Sequence, residues 1–269
     1  MNKQAMQKTK WDHSNDEKFV EYYASESESK STTQRFQAVF RTLLLQSRKN
    51  NDASKPLQVA DIGCGTGNQA FLWAEDGHDV HAIDVAEPLV TLGRARAAQR
   101  GLEVDFQLGS ASELPWPNVS MDVCIALELL EHIEDWQSCL DEFARILKPG
   151  GLLCLSTTNR LCPIQQEFSS PFYSWYPSRV KRRYEQLART SRPDLVNYAT
   201  YPAVNWFSFY SLRKALAELG FDTLDKFDCM GNDDSTLRNS ISTMIRWISP
   251  LRLLAHLVTT GTFIVAVKY

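Results

Sequence analysis

The chain has 269 residues, enough to bury a full core as one domain carrying insertions. It is 43% hydrophobic and 23% charged with a net charge of −3, an ordinary globular composition that gives no global electrostatic reason to bind nucleic acid. No uncharged apolar run reaches the roughly 18 to 20 residues of a membrane span, the N-terminus lacks the apolar region of a signal peptide, and six scattered cysteines without a C-x-x-C pair read as reduced residues of a cytoplasmic protein.

Residues 1–10 are polar and expected to be disordered. From Trp11 to about Gln46 the spacing is helical, with Phe19, Tyr22 and Tyr23 on one face, then Phe36, Val39, Phe40, Leu43 and Leu44. A Ser/Glu-rich break at Ser25–Ser31 divides it, and Lys49–Lys55 is a polar linker. A β-α-β rhythm then starts. Strand Leu57–Asp61 runs into Gly63, Gly65 and Gly67, and a helix follows at about Asn68–Asp76. Glycine permits the sharp strand-to-helix turn and lets a ligand lie against the backbone. The dinucleotide fingerprint is G-x-G-x-x-G; here the third glycine comes one residue early, and an acid precedes the first by two positions. The next strand, Val80–Ile83, ends at Asp84. A carboxylate there can accept from both hydroxyls of a ribose, which points to an adenosine-containing ligand.

Glu87-Pro88 opens the following helix and Gly101 closes it. Strand Val104–Leu108 leads to Gly109-Ser110-Ala111-Ser112-Glu113-Leu114-Pro115. Strand Met121–Ala126 leads to Leu127-Glu128-Leu129-Leu130-Glu131-His132-Ile133. Asp135 caps a helix whose apolar face is Trp136, Leu140, Phe143 and Leu147. Lys148-Pro149-Gly150-Gly151 is expected to stop it, and strand Leu152–Ser156 continues into Thr157-Thr158-Asn159-Arg160.

The Asp61-x-Gly63-x-Gly65-x-Gly67 pattern resembles motif I of the class I S-adenosylmethionine (SAM) methyltransferases. Over about residues 57–160 the chain resembles the ubiquinone-biosynthesis O-methyltransferase group, through its E-x-L-E-H segment, its Lys-Pro-Gly-Gly turn and its Ser-Thr-x-Asn-Arg strand end. The resemblance implies SAM as cofactor. A dinucleotide sets a pyrophosphate over the helix N-terminus, whereas SAM carries a sulfonium and an ammonium that an acid at a strand end suits. By this resemblance the cofactor residues are Asp61, Gly63, Cys64, Gly65, Gly67, Asn68, Asp84, Val85, Ser110, Ala111, Leu127 and Glu128. Ser110 stands where many relatives have Asp, so the adenine contact loses a charge. The segment before motif I is implied to cap the cofactor, with Tyr22 or Tyr23 in reach. The implied fold is a Rossmann-like α/β domain, a seven-stranded, mostly parallel sheet with helices on both faces. Its last parts are a helix at Ser208–Leu219, a strand at Phe221–Phe227 and an antiparallel strand at Thr262–Val267.

Two segments stand outside that core. Leu161–Phe207, rich in aromatics and prolines, starts at the ligand edge of the sheet and reads as a lid building the acceptor pocket; a stabilising surface subdomain is the alternative. Within it Arg179–Arg192 carries Arg179, Lys181, Arg182, Arg183, Arg189 and Arg192 against Glu185 alone, a solvated helix face or a surface for phosphates. Ile241–Val258 is apolar with two arginines, and reads as a core or dimer helix, a membrane contact or a substrate cover. The chain thus divides into an N-terminal helical cap (1–56), a cofactor-binding core (57–160), the lid (161–207) and a C-terminal part of the core (208–269) with a helical insertion at about 231–258.

Methyl transfer from SAM needs alignment, exclusion of water and, for a weakly acidic hydroxyl, a base. His132, in the loop after the fourth strand, is the candidate base; the alternative is that it packs or caps the next helix. Asn159, Arg160, Tyr173 and Trp175 are the acceptor-side candidates. No metal constellation is evident. The expected function is a SAM-dependent methyltransferase acting on a small, hydrophobic molecule, with O-methylation favoured. The alternatives are methylation of a protein or RNA, and a SAM-binding partner protein without catalysis. Peripheral membrane contact and oligomeric state stay open.

Overall fold

The computed structural model describes residues 17–49, 55–165, 168, 170–195, 203, 205–229 and 243–269. The expectations for residues 1–10, the Tyr22 side chain and the stretch 231–242 lie outside them. Seven strands form one sheet: β1 (Gln58–Ile62), β2 (Asp79–Asp84), β3 (Asp105–Leu108), β4 (Met121–Leu127), β5 (Leu147–Thr158), β6 (Phe221–Asp225) and β7 (Gly261–Lys268). Their order is β3-β2-β1-β4-β5-β7-β6. β7 alone runs against its neighbours, between β5 and β6. The strand order reverses between β1 and β4, and ligands of such sheets bind at the carboxyl ends of the strands on either side of that point.

Alternate residues of each buried strand enter opposite layers, as a two-residue period requires. Val59, Val80, Val123, Cys154 and Val265 face one core with α2 (Lys30–Ser47), α3 (Asn68–Glu75) and α4 (Glu87–Arg100). Ala60, Ile62, Cys124, Leu153 and Ile264 face the other with α5 (Trp136–Ile146) and α7 (Phe209–Glu218). Between these two helices of the second layer runs α6 (Ser178–Thr190), in the segment after β5. Asp135 caps α5 by accepting from the Ser138 N–H, and Ser208 and Ser211 form a reciprocal cap at α7.

At the N-terminus, α1 (Glu17–Glu26) and α2 are separated by a turn in which Ser29 caps α2. α2 buries Val39 and Leu43 against the sheet layer, and Phe40 meets Trp73 edge-on, 5.0 Å between ring centres. The turn is fastened to the core: Arg96 of α4 donates to the Ser27 hydroxyl and the Ala24 carbonyl and pairs with Glu28 at 2.7 Å.

Two element boundaries differ from the sequence reading. α5 ends at Ile146, and Leu147 is already extended, buried and paired with Met121. Lys148-Pro149-Gly150-Gly151 therefore lies inside the span of β5, where the register with β4 shifts. β6 ends at Asp225, and Lys226–Cys229 is a helical turn. The Asp225 carboxylate takes the Phe227 and Asp228 N–H groups, which closes the chain into that turn.

Asp225 also organises α8 (Ser249–Leu257). It is fully buried and bonds Arg252 at 2.7 Å and His256 at 2.9 Å; Arg252 also reaches Asp228. Burial alone would raise the Asp225 carboxyl, but hydrogen bonds from His256 and Arg252 outweigh it and hold it down to about 2. The polar side of α8 thus points inward, while Leu253, Leu254 and Val258 face solvent together with Trp247 just before the helix. No described helix is long and apolar enough to cross a membrane.

Candidate functional site

The turn after β1 is built around two carboxylates. Asp61, at the end of the strand, is buried and accepts from the Ala70 N–H of α3 at 3.1 Å. Asp84, at the end of β2, holds the turn itself: one oxygen accepts from the Gly65 N–H and the other from the Ala86 N–H, both at 2.8 Å. Burial pushes Asp61 up from 3.8 to about 7, in spite of the Ala70 hydrogen bond, and the charge of Asp84 adds to the rise. Burial raises Asp84 as well. Two carboxylates strained in this way form a site that a cation relieves.

The backbone between them turns through three glycines of positive φ. Gly65 has φ +53° and a side chain there would meet nothing within 4 Å, so the glycine serves the backbone turn beside open space. Gly67, at φ +85°, is different: a Cβ would strike the Phe106 ring. Gly63 also has positive φ and donates to the Ile83 carbonyl. Thr66, between the last two glycines, has a buried hydroxyl with no hydrogen-bond partner. The Cys64 thiol is driven well above 9 by burial and the two aspartates, so it stays protonated. Asn68 donates to the Ser27 carbonyl in the turn between α1 and α2, tying the glycine loop to the N-terminal helices.

On the β3 side, Val85 is exposed and Ala111 buried. The Ser110 hydroxyl accepts from the Ser112 N–H at 3.2 Å and bonds its hydroxyl at 2.9 Å, a local turn. On the β4 side, Leu127 is half-buried and Glu128 has a positive φ of 52°, costly for a residue with a Cβ. Glu128 is held by the Ser156 hydroxyl at 2.6 Å and by Arg35 of α2 at 3.6 Å.

His132 ends a short 3-10 turn, Leu130–His132, directly after β4, and is half-buried. Its neighbour Glu131 is buried, accepts from the Thr157 hydroxyl at 2.8 Å, and is pushed well above the carboxylate range by burial and by Glu128. Asn205, which sequence reasoning passed over, fixes this loop: its side chain donates to the Leu130 and Ile133 carbonyls and its N–H to the Glu131 carbonyl. A lone Asn in a loop carries no signal that would have singled it out.

The acceptor-side candidates separate into two kinds. Asn159 is buried, and its amide donates to the His256 and Thr259 carbonyls and accepts from the Leu161 N–H. It pins the end of β5 to α8. Tyr173 lies fully buried inside the segment after β5, stacked on Phe168 with ring centres 3.9 Å apart. Lys181 of α6 closes that interior, 4.5 Å from the Trp206 ring centre and donating to the Ser174 carbonyl; burial and Arg160 lower it to about 8. Arg160 and Trp175, by contrast, are exposed at the end of β5, where the Trp175 indole donates to the Leu161 carbonyl. Among the described residues no group of three or more His, Cys, Asp or Glu is placed to hold a metal, and the six cysteines are unpaired thiols.

Residues 60–155 match the family model described as a methyltransferase domain. The match covers both carboxylates, the glycine turn and the loop after β4. Over these residues the chain is similar to a methyltransferase domain. Its domain is similar to the ubiquinone biosynthesis O-methyltransferase of Xanthomonas axonopodis pv. citri, 38% identical over 104 residues, which is 38% of this chain and 44% of that protein. The enzyme of the same name from Sinorhizobium fredii is 31% identical over 144 residues, 52% of this chain and 58% of its own. The chain thus spans about half the length of the curated relatives it matches. Among solved structures, the magnesium protoporphyrin IX methyltransferase of Synechocystis PCC 6803, with bound SAH, has a TM-score of 0.58 at 15% identity, covering 94% of this chain and 95% of that one. The cyclase SpnF has a TM-score of 0.52 at 20% identity, covering 86% and 81%. Likeness at this level is likeness of fold, and the methyltransferase domain shares its fold with a cyclase.

Proposed function

We propose that the chain transfers a methyl group from SAM to an oxygen of a small, hydrophobic acceptor. The observation that carries the reading is the pair Asp61 and Asp84, two carboxylates raised by burial beside an open glycine turn. Bound SAM supplies a methyl group already activated on a sulfonium. The protein's own work is then to hold, align and deprotonate.

Asp84 has both oxygens fixed by backbone N–H groups, and their remaining lone pairs accept from two vicinal hydroxyls. Asp61 supplies negative charge to the cationic end of the cofactor. Val85, Ser110 and Ala111 border the base, and Leu127 and Glu128 the opposite wall. His132 takes the proton of the acceptor hydroxyl as the oxygen–methyl bond forms. Arg160 and Trp175 orient the acceptor at the end of β5, and the lid excludes water. The likeness to enzymes named for O-methylation in ubiquinone biosynthesis supports oxygen as the accepting atom.

The test is calorimetric titration of the purified chain with SAM, S-adenosylhomocysteine and NAD, followed by a labelled-methyl screen of phenols and quinone precursors. Binding of the first two alone and label in an ether product are expected. Preference for NAD overturns the cofactor reading, and SAM binding with label on carbon or nitrogen overturns the O-methylation.

A second reading adds peripheral membrane contact. It is supported by α8, which turns Arg252 and His256 inward and leaves Val258 81% and the preceding Trp247 83% exposed. Sedimentation with lipid vesicles tests it: a Trp247→Ser, Val258→Ser variant should stay in the supernatant where the parent pellets.

A further inference from the structure

Away from the glycine turn, α6 and the 3-10 turn Pro193–Leu195 enclose a groove of about 540 Å3. Three guanidinium groups line it: Arg179 and Arg183, one helical turn apart on α6, and Arg192 just beyond the helix. Like charges at that spacing repel, and the helix keeps them on one face. Arg192 is answered by Asp194, in a two-pronged pair at 2.7 and 2.8 Å. Arg179 and Arg183 have no carboxylate partner among the described residues. The rest of the lining is apolar, from Val180, Leu187 and Leu195, with the ring of Tyr184 beside them.

Two arginines without a carboxylate partner among the described residues, beside an apolar floor, describe a ligand with two halves. Guanidinium forks match the oxygens of a phosphate or carboxylate and hold them by paired hydrogen bonds. The floor accepts a hydrocarbon portion, and the volume lies in the range of small-molecule pockets, about 300–1,000 Å3.

We propose that this groove binds an anionic amphiphile, a phosphate monoester or carboxylate on a short hydrocarbon body, with Arg179 and Arg183 on the anion. Asp194 keeps Arg192 as a bordering charge and prevents a third unbalanced cation. The chemistry is shared by a free amphiphile and by the headgroup region of an anionic lipid, so the experiment separates the two. The groove is independent of Asp61 and Asp84, and the proposal stands or falls without the methyl-transfer reading.

The full chain is titrated with hexyl phosphate and with inorganic phosphate by calorimetry, and sedimented with phosphatidylcholine vesicles with and without phosphatidylglycerol. The comparison is an Arg179→Gln, Arg183→Gln variant, with Arg213→Gln, an exposed arginine on α7, as charge control. Both substituted faces are solvent-exposed, and circular dichroism verifies the fold of each variant. Saturable hexyl phosphate binding, tighter than inorganic phosphate and weakened tenfold or more in the double variant alone, supports a free ligand. Vesicle binding that needs phosphatidylglycerol and disappears in the double variant, without hexyl phosphate binding, supports a lipid headgroup. Equal binding by the parent and the double variant, an equal loss in the Arg213 control, or no binding to any probe overturns the proposal.

Discussion

Arg35, on the second N-terminal helix, stands 3.6 Å from the carboxylate of Glu128 at the end of the fourth strand. The contact bridges the N-terminal helices and the proposed wall of the cofactor site. Both side chains are well exposed, and pairs of that kind contribute at most about 1 kcal/mol. Arg35→Ala should therefore leave thermal stability almost unchanged and weaken SAM binding by no more than about fivefold. Calorimetry checks this; a loss beyond tenfold would show that Arg35 governs the placement of the whole cap.

Asp84 holds the glycine turn through two backbone N–H groups, besides its proposed contact with two hydroxyls. Asp84→Ala should weaken SAM and S-adenosylhomocysteine binding alike, by well over tenfold. Unchanged affinity for both would sink the assignment of this carboxylate to the cofactor.

Asp61 carries a pH dependence whose sign follows from its burial. Its carboxyl is raised from 3.8 to about 7 in the folded, ligand-free protein. Between those values the native state binds more protons than the unfolded one, so this group lowers stability as pH rises from about 4 through about 7. A cationic ligand favours the ionised form, so SAM affinity should climb between pH 6 and pH 8. Asp61→Asn should flatten both profiles. Denaturation and calorimetry across that range measure them, and a SAM affinity that falls with pH in the parent would reverse the charge argument.

Asn159 makes three hydrogen bonds to backbone groups and none that faces solvent. Truncation strands the Thr259 carbonyl and the Leu161 N–H, while the His256 carbonyl keeps the Thr259 N–H, at about 1–3 kcal/mol for each unsatisfied buried group. Asn159→Ala should lower the melting temperature by several degrees and leave KM for the acceptor unchanged in the protein that remains folded. A raised KM at unchanged stability would return this residue to the substrate side.

His132→Ala should reduce kcat and leave SAM affinity alone, because the ring is proposed to act only on the acceptor proton. General-base contributions are typically about 10²–10⁴-fold. Full turnover, measured with labelled SAM, would leave the ring a packing role in its turn.

The parts of the fold that could be read in the chain are those whose chemistry is local. Gly65 and Gly67 mark a turn because positive φ is needed there, and Asp61 and Asp84 mark strand ends because a polar group follows an apolar run. What could not be read depends on distant partners. Leu147 looks like the last apolar residue of a helix and becomes the first of a strand, because Met121 pairs with it. Asn159 and Tyr173 look like ligands at a strand end and in a lid. The Asn159 amide is taken up by carbonyls 97 and 100 residues away, a separation that conceals them, whereas Tyr173 stacks on Phe168 only five residues before it, in a stretch without a regular period to announce the contact. Glu128 shows the same limit, for nothing in its neighbours announces a left-handed backbone.

β7 lies between β5 and β6, although both precede it in the chain. During synthesis β5 can pair with β4 as soon as it emerges, but β6 has no strand to join until β7 has left the ribosome. Contacts so far apart in sequence form slowly, and the interval leaves the outer edge of β5 and the whole of β6 open to mispairing. The order of manufacture thus makes the arrival of β7 the event that completes this edge of the sheet.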